Sequence, residues 1–244
     1  VAMIVCHGGA ALYMGYHLVT GKARVPLRPH PIEWAISKDI LQVGGIGLFN
    51  SLFMAMTVVF VTGFIGRYGT EALAGYGLGA RLELMLVPLS FGIGAALTAA
   101  VGANFGAGQY VRARRIAWTG SAVTLVVTGV IGLTVAVAPG LWLNLFTADA
   151  AAYYYGGLYL SIAGPFYALF GAGQALYFAS QGTGRVVLPV AASGVRFFVV
   201  VGLGMTAVTL GWELSAVFWA VAAGLVLIGV GQALCLFTPG WRLR

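Results

Sequence analysis

The chain has 244 residues, of which 60% are hydrophobic and only 8% are charged, and its formal net charge is +7. Soluble globular domains carry about 25% charged residues, because their surfaces must be polar. The composition therefore excludes a water-soluble globule, a disordered chain and a disulfide scaffold. Glycine is also in excess, with 37 residues scattered through long apolar runs, which is typical of closely packed membrane helices. The sequence predicts an all-α, polytopic integral membrane bundle.

Seven apolar stretches are long enough to cross the hydrocarbon core of a bilayer as helices. In chain order they are 1–20, 41–66, 72–104, 114–138, 150–180, 185–209 and 213–237. The third and fifth are longer than one span needs and contain Pro88 and Pro165, so we expect them to be bent or tilted. Residues 21–40 hold three prolines and read as a linker that leads into a short interfacial helix. The predicted organisation is therefore one helix, a linker, and a six-helix unit over 41–244.

The charged residues of the loops predict an orientation. If the seven helices alternate in direction, ten basic residues fall on one side and only Arg67 falls on the other, with Glu71, Asp149 and Glu213. Cytoplasmic loops of membrane proteins are enriched in Lys and Arg. We therefore predict a cytoplasmic C-terminus and an outer position for residue 1, and we expect that the first helix belongs to something that precedes it. The ten basic residues are Lys22, Arg24, Arg28, Lys38, Arg112, Arg114, Arg115, Arg185, Arg242 and Arg244.

Sequence patterns of enzymes, metal sites and nucleotide sites are absent. His7, His17 and His30 form no metal-ligand pair with nearby carboxylates, and Cys6 and Cys235 lie in apolar runs as small packing residues. The glycine-rich strings lie within predicted membrane helices rather than after strands, which argues against a nucleotide fingerprint. We predict that the protein is not an enzyme, holds no metal or cofactor, and binds no nucleic acid.

Three ionisable residues, Arg81, Glu83 and Arg196, lie at membrane depth in the predicted helices. Such residues are costly, face a bundle interior or a wet cavity, and are functional candidates by default. Glu83 lies roughly 18 Å from the outer end of its helix at ~1.5 Å per residue, so it is a candidate for binding a proton or an organic cation. Arg81 points to another face, and Arg196 lies at comparable depth on another helix. The alternative is a buried Glu–Arg clip that only holds helices together.

Polar, methionine and aromatic side chains in the neighbouring predicted helices are candidates to line a cavity. Adaptable methionines and aromatic rings are typical of permissive apolar binding sites. Packing within the bundle is the alternative for each of them. The candidates are Asn50, Met54, Phe170, Gln174 and Tyr177.

One segment carries a family resemblance. Residues 66–115 read GRYGTEALAGYGLGARLELMLVPLSFGIGAALTAAVGANFGAGQYVRARR. They resemble the second-half signature of the multidrug and toxic compound extrusion (MATE) family: a GTEALA-type helix start, a glycine-rich helix end and a short basic loop. The stretch ASQGTGRVVLP at 179–189 resembles the exit from the tenth helix of that family.

The signature residues also have expected structural roles. Gly102 and Gly106 are four residues apart, which permits close approach of another helix. Gly106 and Gly108 are expected to let the chain turn before the basic loop that contains Arg112 and Arg115.

The resemblance implies a fold of twelve helices in two six-helix lobes with both termini in the cytoplasm. Segment 1–20 would then be the last helix of the first lobe, 21–40 the interlobe linker and 41–244 the second lobe, with the missing first lobe as a partner. The family exports organic cations and drugs by alternating access, in exchange for H⁺ or Na⁺. The implied location is the cytoplasmic membrane of a bacterium, with the lipid bilayer around the helices.

The sequence departs from the family in one respect. Several members carry carboxylates in the middle of the seventh or tenth helix, whereas the middle of 41–66 has Met54 and Met56, and 150–180 holds no acidic residue. Sodium coupling through this lobe is therefore in doubt, and Glu83, which matches the RLE of the signature, is the coupling candidate. Two alternatives remain open: a flippase for lipid-linked saccharides of the same superfamily, and a membrane scaffold or half-transporter that homodimerises.

Overall fold

The computed structural model describes residues 2–20, 33–238 and 241, and these residues form helices and turns without a strand. They divide into two compact units, Val1–Leu41 and Gln42–Arg244. The predicted linker lies largely outside the described residues, so the predicted domain boundaries stay a prediction. The helices are α1 Ala2–Val19, α2 Trp34–Gly66, α3 Thr70–Gly106, α4 Tyr110–Val137, α5 Gly140–Leu143, α6 Ala150–Ala163, α7 Tyr167–Gly182, α8 Val187–Thr209 and α9 Leu214–Cys235.

The helices confirm a polytopic membrane bundle. Five of them in the described part of the chain are long and apolar enough to cross a membrane: Leu41–Gly66 of α2, and α3, α4, α8 and α9. The predicted span 150–180 is divided, because a 3₁₀ turn at Gly164–Phe166 separates α6, of 14 residues, from α7, of 16 residues. Pro165 lies in that turn and has no N–H to continue an α-helix. Pro88 has a milder effect, since α3 continues through it over 37 residues.

Glycines set the closest helix contacts in the second unit. A Cβ atom on Gly75 of α3 would lie 2.6 Å from the Ala152 carbonyl oxygen and 2.7 Å from the Gly156 nitrogen of α6. A Cβ atom on Gly173 of α7 would lie 2.9 Å from the Ile228 carbonyl oxygen of α9. No side chain fits where backbones approach this closely. Backbone-to-backbone packing therefore accounts for part of the glycine excess of the sequence.

The signature glycines have three different environments. A Cβ atom on Gly102 would lie 2.9 Å from the Gly182 carbonyl oxygen of α7, as expected for close helix approach. Gly108 has φ of 73° and allows the turn between α3 and α4. The expectation for Gly106 is wrong: it is the last residue of α3, it has no positive φ, and its Cβ position faces open space within the described residues.

Aromatic rings hold α2 against α8. Phe53 stacks on Phe197 with ring centroids 5.6 Å apart, and Phe60 meets the same Phe197 edge-on at 6.0 Å. Near the other end, the ring of Phe64 occupies the space that a side chain on Gly204 would need. These contacts place α2 beside α8 along the region where the candidate site lies.

Candidate functional site

A cavity of about 260 Å³ opens in the second unit between α2, α3, α7 and α8. Its walls are mainly apolar, with Glu83, Arg196 and the Tyr76 hydroxyl as the polar exceptions. A mostly apolar cavity with a few converging polar groups is the usual form of a small-molecule site. The lining residues are Met54, Ala55, Val58, Tyr76, Ala80, Glu83, Leu84, Val87, Phe170 and Arg196.

Glu83 is the carboxylate of this cavity. It lies thirteen positions beyond Thr70, about 20 Å along α3 at ~1.5 Å per residue, and is half-buried. The hydroxyl of Tyr159 on α6 donates a 2.7 Å hydrogen bond to Glu83 Oε2. Gly79, one turn before Glu83, leaves room for the Tyr159 ring, whose Cε1 lies 3.0 Å from the position of a Cβ on Gly79. The missing side chain at Gly79 therefore permits the contact that orients the Glu83 carboxylate.

An aromatic cluster supports this hydrogen bond. Tyr76 meets Tyr159 edge-on with ring centroids 5.1 Å apart, and Phe218 of α9 lies 5.3 Å from Tyr159 and 6.4 Å from Tyr76. Tyr159 and Phe218 are fully buried, and only Tyr76 of the three reaches the cavity wall. Because the rings interlock, the donor of the Glu83 hydrogen bond has little freedom to move.

Arg196 brings a positive charge to the same cavity. It is 6% exposed, and its buried Nε has no hydrogen-bond partner within the described residues. Gly224 of α9 lies beside it, since a Cβ there would be in ordinary contact, at 3.4 Å, with Arg196 Nε. Among the described residues, no carboxylate oxygen lies within 4.0 Å of a guanidinium nitrogen of Arg196, so Arg196 forms no ion pair there. Glu83 and Arg196 thus share a cavity without an ion pair between them.

The remaining predicted site residues separate into two groups. Met54 and Phe170 line the cavity. Arg81 does not: it is exposed, and its guanidinium lies 6.0 Å from the centre of the Phe146 ring. The others are buried but outside the set of lining residues, and the Asn50 Oδ1 atom has no partner in the described part of the chain. These others are Asn50, Gln174 and Tyr177.

Two residues of the site were missed by the sequence analysis. Tyr76 precedes Glu83 by seven positions and so falls on the same helix face, a signal that was available. Tyr159 is 76 residues away on another helix, and nothing in the local sequence pairs it with Glu83. Arg112 and Arg115, predicted as part of the basic loop, are exposed in the first turns of α4 and lie outside the cavity. No group of His, Cys, Asp and Glu suited to a metal ion occurs among the described residues.

The fold and the site define a class: a polytopic helical membrane protein with an internal cavity that holds a half-buried carboxylate. Comparison with known proteins identifies the family. Residues 47–206 match the sequence model of the MatE family. The chain therefore belongs to the MATE family of membrane transporters, which confirms the resemblance inferred from the signature segment.

Individual relatives agree with this assignment. A probable multidrug resistance protein NorM from Geobacillus kaustophilus is 31% identical over 136 residues, which are 54% of this chain and 27% of the relative. The MATE transporter ClbM, solved in complex with Rb⁺, superposes with a TM-score of 0.77 at 22% identity, over 87% of this chain and 48% of ClbM. The bent form of the Vibrio cholerae MATE transporter VcmN gives a TM-score of 0.74 at 19% identity, over 85% of this chain and 48% of VcmN. The chain thus spans about half the length of the solved transporters that it resembles.

Proposed function

We propose that this chain forms the second lobe of an efflux transporter that exports organic cations or drugs in exchange for H⁺ or Na⁺. The proposed location is the cytoplasmic membrane of a bacterium, with the C-terminus in the cytoplasm. Membership of the MATE family and the similarity to a probable multidrug resistance protein support export of drugs over transport of lipid-linked saccharides. The observation that carries the proposal is the oriented Glu83 carboxylate in an apolar cavity.

The cavity has the chemistry that an organic cation needs. The Glu83 carboxylate would compensate the positive charge, and the faces of Tyr76 and Phe170 would attract a cation through their ring electrons. Met54, Val58 and the other apolar walls would cover the hydrocarbon body of the substrate. Glu83 is the one carboxylate among the lining residues. Because Na⁺ prefers several oxygen ligands, this lobe favours a proton as its coupling ion.

The positive charge of Arg196 would couple the binding of a proton at Glu83 to the release of a cationic substrate. With Glu83 ionised, the negative and positive charges of the cavity compensate each other, and a cationic substrate is admitted. With Glu83 protonated, the positive charge of Arg196 is uncompensated, and its repulsion of a cation is strong because the surroundings are apolar. Proton and substrate would thus exclude each other from the cavity, as antiport requires.

The Glu83→Gln variant tests this proposal in an energised drug-efflux assay. Glutamine keeps an acceptor for the Tyr159 hydroxyl but cannot exchange a proton. We expect loss of efflux together with loss of its dependence on pH. Glu71→Gln is the matched control, since Glu71 is exposed in the first turn of the same helix and should behave as the unchanged protein. Intact, pH-dependent efflux in Glu83→Gln would contradict the proposal and leave Glu83 with a structural role.

A second experiment tests the two-lobe arrangement. The chain is expressed alone and, in parallel, with the reading frame upstream of it. We expect efflux only when a six-helix first lobe is present. Efflux by the chain alone would instead support a half-transporter that homodimerises.

A further inference from the structure

A second and larger opening, a groove of about 800 Å³, lies where α3 passes into α4. One end is formed by the connecting loop and the first turns of α4, with two arginines, and the other end by apolar or small residues of both helices. The groove shares no residue with the cavity around Glu83. Its lining residues are Leu97, Gly108, Gln109, Tyr110, Val111, Arg112, Arg115, Ile116, Thr119 and Gly120.

The position of the groove follows from the two helices that form it. Because α3 and α4 are both long and apolar enough to span a membrane, the three-residue connection 107–109 between them must lie at a membrane surface. Leu97 is nine positions before the end of α3 at Gly106, so it lies about 14 Å from that surface at ~1.5 Å per residue. Gly120 is at a similar depth along α4. The groove therefore runs from the interface into the hydrocarbon region.

The interfacial end of the groove is strongly positive. Arg112 and Arg115 are both exposed and, at a spacing of three residues, share one face of α4. Arg112 Nη1 donates a 3.4 Å hydrogen bond to Gln109 Oε1, and within the described residues no carboxylate forms an ion pair with either arginine. The first turn of α4 contains no acidic residue, although the free N–H groups at a helix N-terminus favour a negative charge. An anion at this position would satisfy both the arginines and the helix.

We propose that this groove is a binding site for an anionic phospholipid. The phosphate would lie between Arg112 and Arg115, and an acyl chain would follow Leu97, Ile116 and Gly120 into the bilayer. Charge complementarity selects an anionic headgroup over a zwitterionic one, since basic pockets between membrane helices hold anionic lipid headgroups. The apolar lower wall selects a lipid over a free phosphate. This site is independent of the proposed transport function.

Native mass spectrometry of the purified protein tests the proposal. The protein in detergent is titrated with phosphatidylglycerol or with phosphatidylcholine of identical acyl chains, and the bound fraction is measured. We expect phosphatidylglycerol to bind preferentially. Each basic residue near an anionic lipid contributes about fivefold, so the double variant Arg112→Gln/Arg115→Gln should bind it about 30-fold more weakly. Equal binding of the two lipids would overturn the proposal.

Arg114→Gln is the matched control, because it removes the same charge from the same turn of α4. The Arg114 guanidinium lies 4.9 Å from the Phe237 ring and does not line the groove. We expect its affinity for phosphatidylglycerol to stay close to that of the unchanged protein. A fivefold loss, equal to the effect expected for each charge removed in the double variant, would show a general charge effect and contradict the site.

Thr119→Trp tests the apolar part of the groove without a change of charge. Thr119 is exposed within the groove, so an indole ring there should exclude the acyl chain and weaken phosphatidylglycerol binding. Inorganic phosphate is the competing probe, and we expect no displacement of the lipid by it. Displacement by phosphate, or unchanged lipid binding in Thr119→Trp, would identify a site for soluble anions instead. The unfolding temperature of each variant without lipid verifies that the fold is retained.

Discussion

The charge at residue 83 is held in place by a residue on another helix. Tyr159 donates its hydroxyl to Glu83 Oε2 at 2.7 Å from a fully buried position. A hydrogen bond to a charged group contributes about 1.5–3 kcal/mol, more than a bond between neutral groups. This bond fixes the orientation of the Glu83 carboxylate. Tyr159 is therefore a positioning residue for the proposed proton and substrate exchange.

We predict that Tyr159→Phe lowers the rate of drug efflux. The ring and its packing remain, but the Glu83 carboxylate loses the donor that orients it. Efflux should fall less than in Glu83→Gln. Tyr154→Phe removes the hydroxyl of an exposed tyrosine on the same helix and should leave efflux unchanged. A Tyr159→Phe protein with normal efflux would show that the hydrogen bond is dispensable.

The sequence predicted the charged residues of the cavity but not the tyrosines beside them. An acidic residue inside an apolar helix is conspicuous, because lipid makes such residues rare, and so Glu83 and Arg196 were found. The contact of Glu83 with Tyr159 depends on how α3 and α6 pack. Arg81, two positions from Glu83, lies on another face of α3, as the helical spacing predicts, but its neighbour Phe146 was not predictable.

At the scale of the helices, glycine determines which faces meet. Gly75 and Gly79 lie one turn apart on α3, and Glu83 follows one turn later, so all three share one face. Gly75 admits the backbone of α6, and Gly79 admits the Tyr159 ring. The two glycines that let α6 approach α3 therefore also bring the Tyr159 hydroxyl within hydrogen-bond distance of Glu83.

Gly75→Ala should lower the stability of the bundle, because the new Cβ would lie 2.6 Å from a carbonyl oxygen of α6. Overpacking of this kind costs about 1–3 kcal/mol, which a thermal or detergent-induced unfolding curve would detect. Gly106→Ala is the control, since its Cβ would enter open space. Equal unfolding midpoints for the two variants would show that α6 can move away from the new Cβ atom without loss of stability.

Helix existence was more predictable than helix contacts. The bilayer imposes a minimum length of about 20 apolar residues on each span, and this constraint is visible in any single segment. Pro165 predicted a bend or tilt in the fifth span, and it lies in the 3₁₀ turn between α6 and α7. The environment of Gly106 was not predictable. Two glycines four residues apart permit another helix to pack closely, but they do not determine whether a helix lies there.

For the whole molecule, the clustering of basic residues predicts the orientation in the membrane. Positively charged loops are retained on the cytoplasmic side. Arg112, Arg114 and Arg115 follow α3, whereas the loop after α4 carries no basic residue before Asp149. Under this orientation, the phospholipid groove faces the cytoplasmic leaflet.

Reporter fusions test the orientation directly. Alkaline phosphatase, which is active only outside the cytoplasm, is fused after Thr147 in one protein and at the C-terminus in another. We expect activity for the fusion at Thr147 and none for the C-terminal fusion. The reverse pattern would invert the orientation and place the groove in the outer leaflet.

The 3₁₀ turn at Gly164–Phe166 divides the span 150–182 into two helices, α6 and α7, and is the point at which the angle between them could change. Gly132 of α4 packs against this turn, because its missing side chain leaves space for the Gly164 carbonyl oxygen. Tyr159 lies on α6, before the turn, and Phe170 lies on α7, after it. A change of the angle between α6 and α7 would alter both the width of the cavity and the distance from the Tyr159 hydroxyl to Glu83, while the hydrogen bonds within each helix stay intact. The same movement would then open the cavity and break the hydrogen bond to the Glu83 carboxylate.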